Sequence, residues 1–242
     1  MPVRHLSRLT PVLITRPEPG AAATAAQLVA MGYHPVVAPL LTIHAVAAEL
    51  PAPDTVQAIL VTSRQAIPRL PHAYAHCPLL AVGDATAGSA RAHGFTQVSS
   101  ADGDAKALAV LAARSLAPNG APLLLASGVG QGHHLERLLT RRGFTVLRRE
   151  VYAAQPVEAL PAPARDMLAS SHAGWVLLFS RETAFCFHRL VRHGDLLAGL
   201  RPLRLAAISH PVADSVRDLP WRSIHVAMTP TENAVLALID ER

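Results

Sequence analysis

The sequence predicts an α/β protein built as two similar doubly wound lobes, each with a parallel sheet. The first observation behind this is a unit that recurs seven times, a short apolar run, then a hydroxyl or glycine, then a helix-forming stretch. It appears as VLITRP (12–17), ILVTSR (59–64), LLAVGD (79–84), LLLASG (123–128), VLLFSR (176–181), RLAAIS (204–209) and HVAMTP (225–230). Runs that are apolar throughout have no wet face, so they read as buried parallel strands with helices on both sides of the sheet. The second is an internal duplication. AILVTSRQAIPRL followed by PLLAVGDATAGSARAHGFTQVSS parallels WVLLFSRETAFCFHRL followed by LRLAAISHPVADSVRDLPWRSIHVA. The third is bulk: 242 residues, 50% apolar and 16% charged, exceed one typical domain and suffice for two cores.

Taken in order, 12–15 is the first strand, 18–31 an Ala- and Leu-rich helix stopped by Gly32, and 35–38 the second strand. Strands 57–62 and 79–82 are followed by helices near 63–70 and 84–93, with Gly94 as a stop and Thr96–Ser99 as a further strand. A helix over 104–116 leads to strand 122–126, helix 132–142, the stop Gly143 and strand 144–152. Helix 163–171 precedes strands 175–179, 203–207 and 224–228, each trailed by a helix, near 181–193, 210–218 and 231–240.

Two proline-containing stretches, Pro39–Pro53 and Glu150–Pro163, interrupt this rhythm, and both begin as extended apolar segments (PLLTIHAV and REVYAAQPV). If they run side by side, residues 46–150 form an inserted lobe. Residues 1–38 and 155–242 then form the other, with linkers at about 39–45 and 151–154. A ligand is expected in the cleft between the lobes. Within each lobe the strand-to-helix turns share one edge of the sheet, where such folds bind ligands.

Composition excludes several classes. Net charge is +5 and the basic residues are scattered, with only one lysine, Lys106, and 4% aromatics. A nucleic-acid binder would need a basic stripe or stacking aromatics. Cys77 and Cys186 lie far apart and form neither a disulfide framework nor a zinc spacing, which fits a reducing compartment. No segment approaches the roughly 18 apolar residues of a membrane span, and the N-terminus lacks a signal-peptide core, so a cytoplasmic, monomeric protein is expected. Thirteen histidines include no H-E-x-x-H pair, and no G-x-S-x-G elbow is present.

In this order the motifs resemble the uroporphyrinogen-III synthase family. The carriers are VLITRP with L-x-x-x-G-Y-x-x-x-x-x-P-L (Leu28 to Leu40), AILVTSRQAI, AVGDATAGSARAHGF and L-x-x-L-x-x-R-G-F-x-V-x-x-x-x-V-Y (Leu135 to Tyr152). WVLLFSRETA, AAISHPVADSV and the terminal MTPTENAVLAL complete the set, which spans nearly the whole chain. The resemblance implies a lyase of haem biosynthesis that cyclises hydroxymethylbilane to uroporphyrinogen III, inverting the last pyrrole ring and losing water. It implies a polycarboxylate tetrapyrrole substrate and no metal or redox cofactor.

Such a substrate needs its ends brought together and its carboxylates held, which helix N-termini do without lysine. The residues at the turns are the expected substrate-binding set: Arg16, Thr62, Ser63, Arg64, Gly83, Ser127, Gly128, Ser180, Ser209, Thr229 and Thr231. A hydroxyl at such a turn can equally be a plain helix cap. Tyr152, at the family's V-Y position, is the expected proton donor to the departing hydroxyl, and a packed tyrosine whose hydroxyl finds any partner is the alternative. One departure is the loop SGVGQGHHLER. The family often carries an arginine there, whereas the nearest basic residues in this sequence are His133, His134 and Arg137. A two-lobed tetrapyrrole- or anion-binding protein without turnover is the rival reading. The glycines at 128, 130 and 132 also suggest a nucleotide-binding enzyme, but the dinucleotide fingerprint needs a third glycine where His133 stands.

Overall fold

The computed structural model describes residues 9–240, and the chain divides into two units. One comprises the chain up to Thr42 and again from Gln155 onward, the other Ile43–Ala154. In chain order the elements are β1 (Pro11–Ile14), α1 (Gly20–Ala30), β2 (His34–Val37), β3 (Leu41–Ala45), β4 (Ala58–Val61), β5 (Leu79–Ala81) and α2 (Asp84–Ala92). There follow β6 (Val98–Ser100), α3 (Ala105–Ser115), β7 (Leu123–Gly128), α4 (His133–Thr140), β8 (Val146–Pro156) and α5 (Ala162–Ala169). The last are β9 (Gly174–Leu178), α6 (Arg181–His193), β10 (Leu203–Ala207), α7 (His210–Asp214), β11 (Ser223–Val226) and α8 (Glu232–Asp240).

The first unit has a five-stranded sheet in the order β11-β10-β9-β1-β2, with parallel registers such as Ile14 opposite Leu177 and Ala207 opposite Val226. Alternate residues of these strands feed two cores. Leu13, Val176, Leu178, Leu205 and Ala207 pack with α5, α6 and α7, while Val12, Ile14, Trp175, Leu177 and Ala206 pack with α1 and α8. This is the doubly wound layering, with both faces of every central strand buried.

The second unit has the order β3-β8-β7-β4-β5-β6. Ile59, Val61, Leu79, Ala81, Leu124 and Ala126 face one core, and Ala58, Leu60, Leu80, Leu123 and Leu125 face the other with α3 and α4. Its sheet is not wholly parallel. The bonds from Val46 N–H to Val151 O and from Val157 N–H to Leu40 O set β3 antiparallel to β8. The stretches expected as linkers are therefore strand. β8 runs on to Pro156, with no break at 152.

The two sheets repeat one order, circularly permuted. The run β4 to β8 with its helices α2, α3 and α4 matches β9-α6-β10-α7-β11-α8 followed by β1-α1-β2. The duplication read from sequence covers only the first half of that unit. Its second half recurs as LVAMGY (28–33) against LTRRGF (139–144), where Gly32 and Gly143 stop the helix in the left-handed region (φ +81° and +86°).

Two expected helices differ. Residues 64–69 form a 3₁₀ helix, since Pro68 lies inside it and lacks the N–H an α-helix would use. The helix expected over 210–218 is α-helical only to Asp214. Caps are more regular. Asp104 accepts from the amides of Lys106 (2.9 Å) and Ala107 (3.0 Å), and the Ala107 bond foremost holds its carboxyl below the usual range. Asp104→Ala is expected to lower stability by about 1 kcal/mol, read as a shift in the urea midpoint.

Candidate functional site

Parallel strands place their carboxyl ends along one edge, so the expected site residues gather by unit. In the first unit Arg16, Ser180, Ser209 and the pair Thr229 and Thr231 follow β1, β9, β10 and β11. In the second, Ser127 and Gly128 end β7, Thr62, Ser63 and Arg64 follow the adjacent β4, and Gly83 follows β5.

Several hydroxyls are caps. Ser180 accepts from the Thr183 amide at 3.1 Å and Ser63 from the Gln65 amide at 3.2 Å. Thr231 accepts from the Ala234 amide at 3.3 Å. Ser209 precedes α7 without capping it, and Gly83 precedes α2 with no side chain to do so. The first amides of α2, on Asp84 and Ala85, and that of His210 in α7 therefore meet no side chain at the cap position, while Pro211 has no N–H to offer.

Arg16 has partners within its own unit. Its guanidinium pairs with Glu232 of α8 at 3.0 Å, bonds Thr24 Oγ1 at 3.2 Å and lies 4.3 Å above the Phe179 ring centre. Thr24 in turn donates to Glu232. The arginine therefore ties the β1–α1 turn to the start of α8, which follows directly from the Thr229–Thr231 turn. It acts on that turn as a brace, already carrying a carboxylate of its own.

The most elaborate edge is the turn from β7 to α4. Ser127 is 2% exposed, and its Oγ has no hydrogen-bond partner. Tyr152 is 3% exposed, and its hydroxyl donates to Gln131 Oε1 at 3.0 Å. Regular alternation would send Val151 and Tyr152 to opposite faces. Instead β8 slips register here, Ser127 opposing Glu150 and Gly128 opposing Tyr152, and both residues enter the same core. The slip aims the phenol at the turn, and the Tyr152 carbonyl accepts from the Val129 amide at 2.8 Å.

Arg148 supplies the cation of this turn. It bonds Glu136 at 3.1 Å, Glu150 at 2.7 Å and the Gln131 carbonyl at 3.3 Å. Sequence pointed to His133, His134 and Arg137 because it reads neighbours along the chain; His133 stands 3.6 Å from Glu136, and the adjacent strand adds Arg148. Arg148, Gln131, Glu136 and Glu232 leave no signal in the sequence, since each finds its partner on another element.

Glu150 also accepts from the Gly130 amide at 3.0 Å. The Arg148 hydrogen bond, then that amide, hold its carboxyl below the ordinary value. Its contribution is therefore complete above about pH 4.3, the unfolded value, and is lost as pH falls through the depressed one. Glu150→Gln is expected to flatten the acid limb of stability, measured by urea melts from pH 6 to 3.

Among the described residues, no group of three His, Cys, Asp or Glu is placed to hold a metal ion. No helix there is long and apolar enough to cross a membrane.

Residues 22–237 match the family model described as uroporphyrinogen-III synthase HemD. The fold is similar to the crystal structure of uroporphyrinogen-III synthetase from Helicobacter pylori, with TM-score 0.63 and 16% identity over 96% of this chain and 98% of that one. It is also similar to a mutant uroporphyrinogen III synthase from Thermus thermophilus, with TM-score 0.51 and 19% identity over 95% and 96%. A comparison with curated protein sequences gives no match.

Proposed function

The chain belongs to the uroporphyrinogen-III synthase family, and from that premise we propose which of its residues carry the reaction. The enzyme cyclises hydroxymethylbilane in haem biosynthesis. Loss of the terminal hydroxyl needs a proton, and Tyr152 gives it, its phenol carrying a proton into the β7–α4 turn where the Glu150 carboxyl is held below its ordinary value. The observation that supports this is the pairing of a register slip with a buried phenol whose hydroxyl is held at 3.0 Å by that turn. The pyrrole chemistry after ionisation is intrinsic to the substrate. What remains for the protein is positioning and the holding of charge.

The carboxylates are held by the amides that start α2 behind Gly83, by Ser209 with the His210 amide beside it, and by Thr62, Arg64, Ser127, Gly128 and Thr229. Ser63 and Thr231 shape the turns they cap and offer their hydroxyl protons to the ligand, while Ser180 caps its turn and gives its proton to Thr183 Oγ1. Arg16 holds the Thr229–Thr231 turn through Glu232. The protein works as a cytoplasmic monomer, with no nucleic-acid or membrane partner. Its cysteines are both free thiols, in keeping with a reducing compartment.

The test mixes purified protein with freshly generated hydroxymethylbilane and separates the oxidised porphyrins into isomers I and III. Spontaneous closure gives isomer I, so it is the internal blank. A dominant isomer III peak is expected. Isomer I alone, from folded protein, would reduce the chain to a binder.

A further inference from the structure

We propose that Gln131 is a positioning residue for the reaction. At rest its Oε1 accepts the phenol's one proton and fixes the phenol oxygen in place; when that proton turns to the leaving hydroxyl, the flipped amide NH2 group steadies the oxygen it leaves. The inference rests on Tyr152 being the proton donor.

Gln131 is fixed from both sides. Its amide donates to Gly128 O at 2.9 Å, and its carbonyl accepts from Arg148 at 3.3 Å. Neighbouring Gly130 is held by Glu150 at 3.0 Å. The side chain lies against Gly128, with Cδ 3.0 Å from where a Cβ on that glycine would stand. Its reach to the phenol is set by the backbone, and little rotamer freedom remains to be lost when substrate arrives.

The amide terminus suits both protonation states. Oε1 accepts from the neutral phenol, and after an amide flip the NH2 group donates to the phenolate. A carboxylate of the same shape could only accept. It would hold the phenol and oppose its ionisation. The Arg148–Glu150 pair anchors the loop and completes the support.

The test uses full-length protein with ring-labelled tyrosine. Tyr152→Phe assigns the Tyr152 signal among the three tyrosines, and Tyr33 and Tyr74 report that the fold is intact. Gln131→Ala is expected to move the Tyr152 signal alone. It should lower kcat for isomer III about tenfold, with KM within twofold. Gln131→Glu should lower kcat similarly despite its equal shape. In the Tyr152→Phe background, Gln131→Ala should cost nothing more. An unmoved Tyr152 signal, a normal kcat in either Gln131 variant, or the same loss in both backgrounds would overturn the proposal. Full isomer III synthesis by Tyr152→Phe itself would remove the proton-donor reading and the proposal with it. The labelled spectrum would still say separately whether the contact exists.

Discussion

Tyr152→Phe is expected to slow isomer III formation about 100-fold in kcat, with little change in KM. A side chain that gives a proton in the transition state contributes about 10² to 10⁴ in rate. The lower figure applies because the substrate ionises readily and positioning by the turns survives the change. The ring stays where it is, 3% exposed in the core of the second unit, so packing is kept. One hydroxyl contact to Gln131 is lost, worth about 1 kcal/mol, and a half-buried amide can take water instead. The variant should therefore fold and bind while spontaneous closure overtakes it. The measured sign is a rising share of isomer I as enzyme is diluted. An isomer ratio equal to that of the unmodified protein at every concentration would leave Tyr152 a packing residue.

How far the sequence foretells this site follows from what each signal physically is. The strands are legible because residues such as Val12–Ile14 and Leu123–Ala126 are buried on both faces and admit only apolar side chains. The turns are legible because Ser63 and Ser180 must satisfy free helix amides, and their position after an apolar run announces it. The second half of the repeat is harder to see, because β1-α1-β2 stands at the opposite end of the chain from the strands it completes. The partners of the site residues are hidden for a related reason. Arg148 reaches Gln131 only because β8 lies beside β7, and Glu232 meets Arg16 across more than two hundred residues. Neither spacing leaves a periodic trace. The register slip that turns Tyr152 inward is likewise invisible, since it depends on how β8 pairs with β7. Gly128 reads from sequence as one more glycine at a turn, and only the ring of Tyr152 shows what it is for.

Gly128→Ala is expected to be the most damaging single change at the site. A Cβ there would stand 2.8 and 2.9 Å from Cζ and Cε2 of the Tyr152 ring and 3.0 Å from Gln131 Cδ. Gly128 does not occupy the left-handed region, so the alanine meets no backbone objection and the effect is purely steric. The ring shares its core with Ile59, Val61, Leu124 and Ala126, all fully buried, and its own carbonyl is tied to Val129, so any retreat is costly. Overpacking of this kind costs about 1 to 3 kcal/mol. Whatever relaxation occurs moves the phenol away from Gln131, and a misplacement of about 1 Å can cost about 10²-fold in rate. The loss in kcat should therefore equal or exceed that of Tyr152→Phe, with a fall in stability that Tyr152→Phe does not share. A double-mutant cycle settles the cause. Removing the ring with Tyr152→Ala opens the space, so adding Gly128→Ala to that variant should cost far less stability than it does alone. Equal costs in the two backgrounds would mean that the glycine answers to something other than the tyrosine.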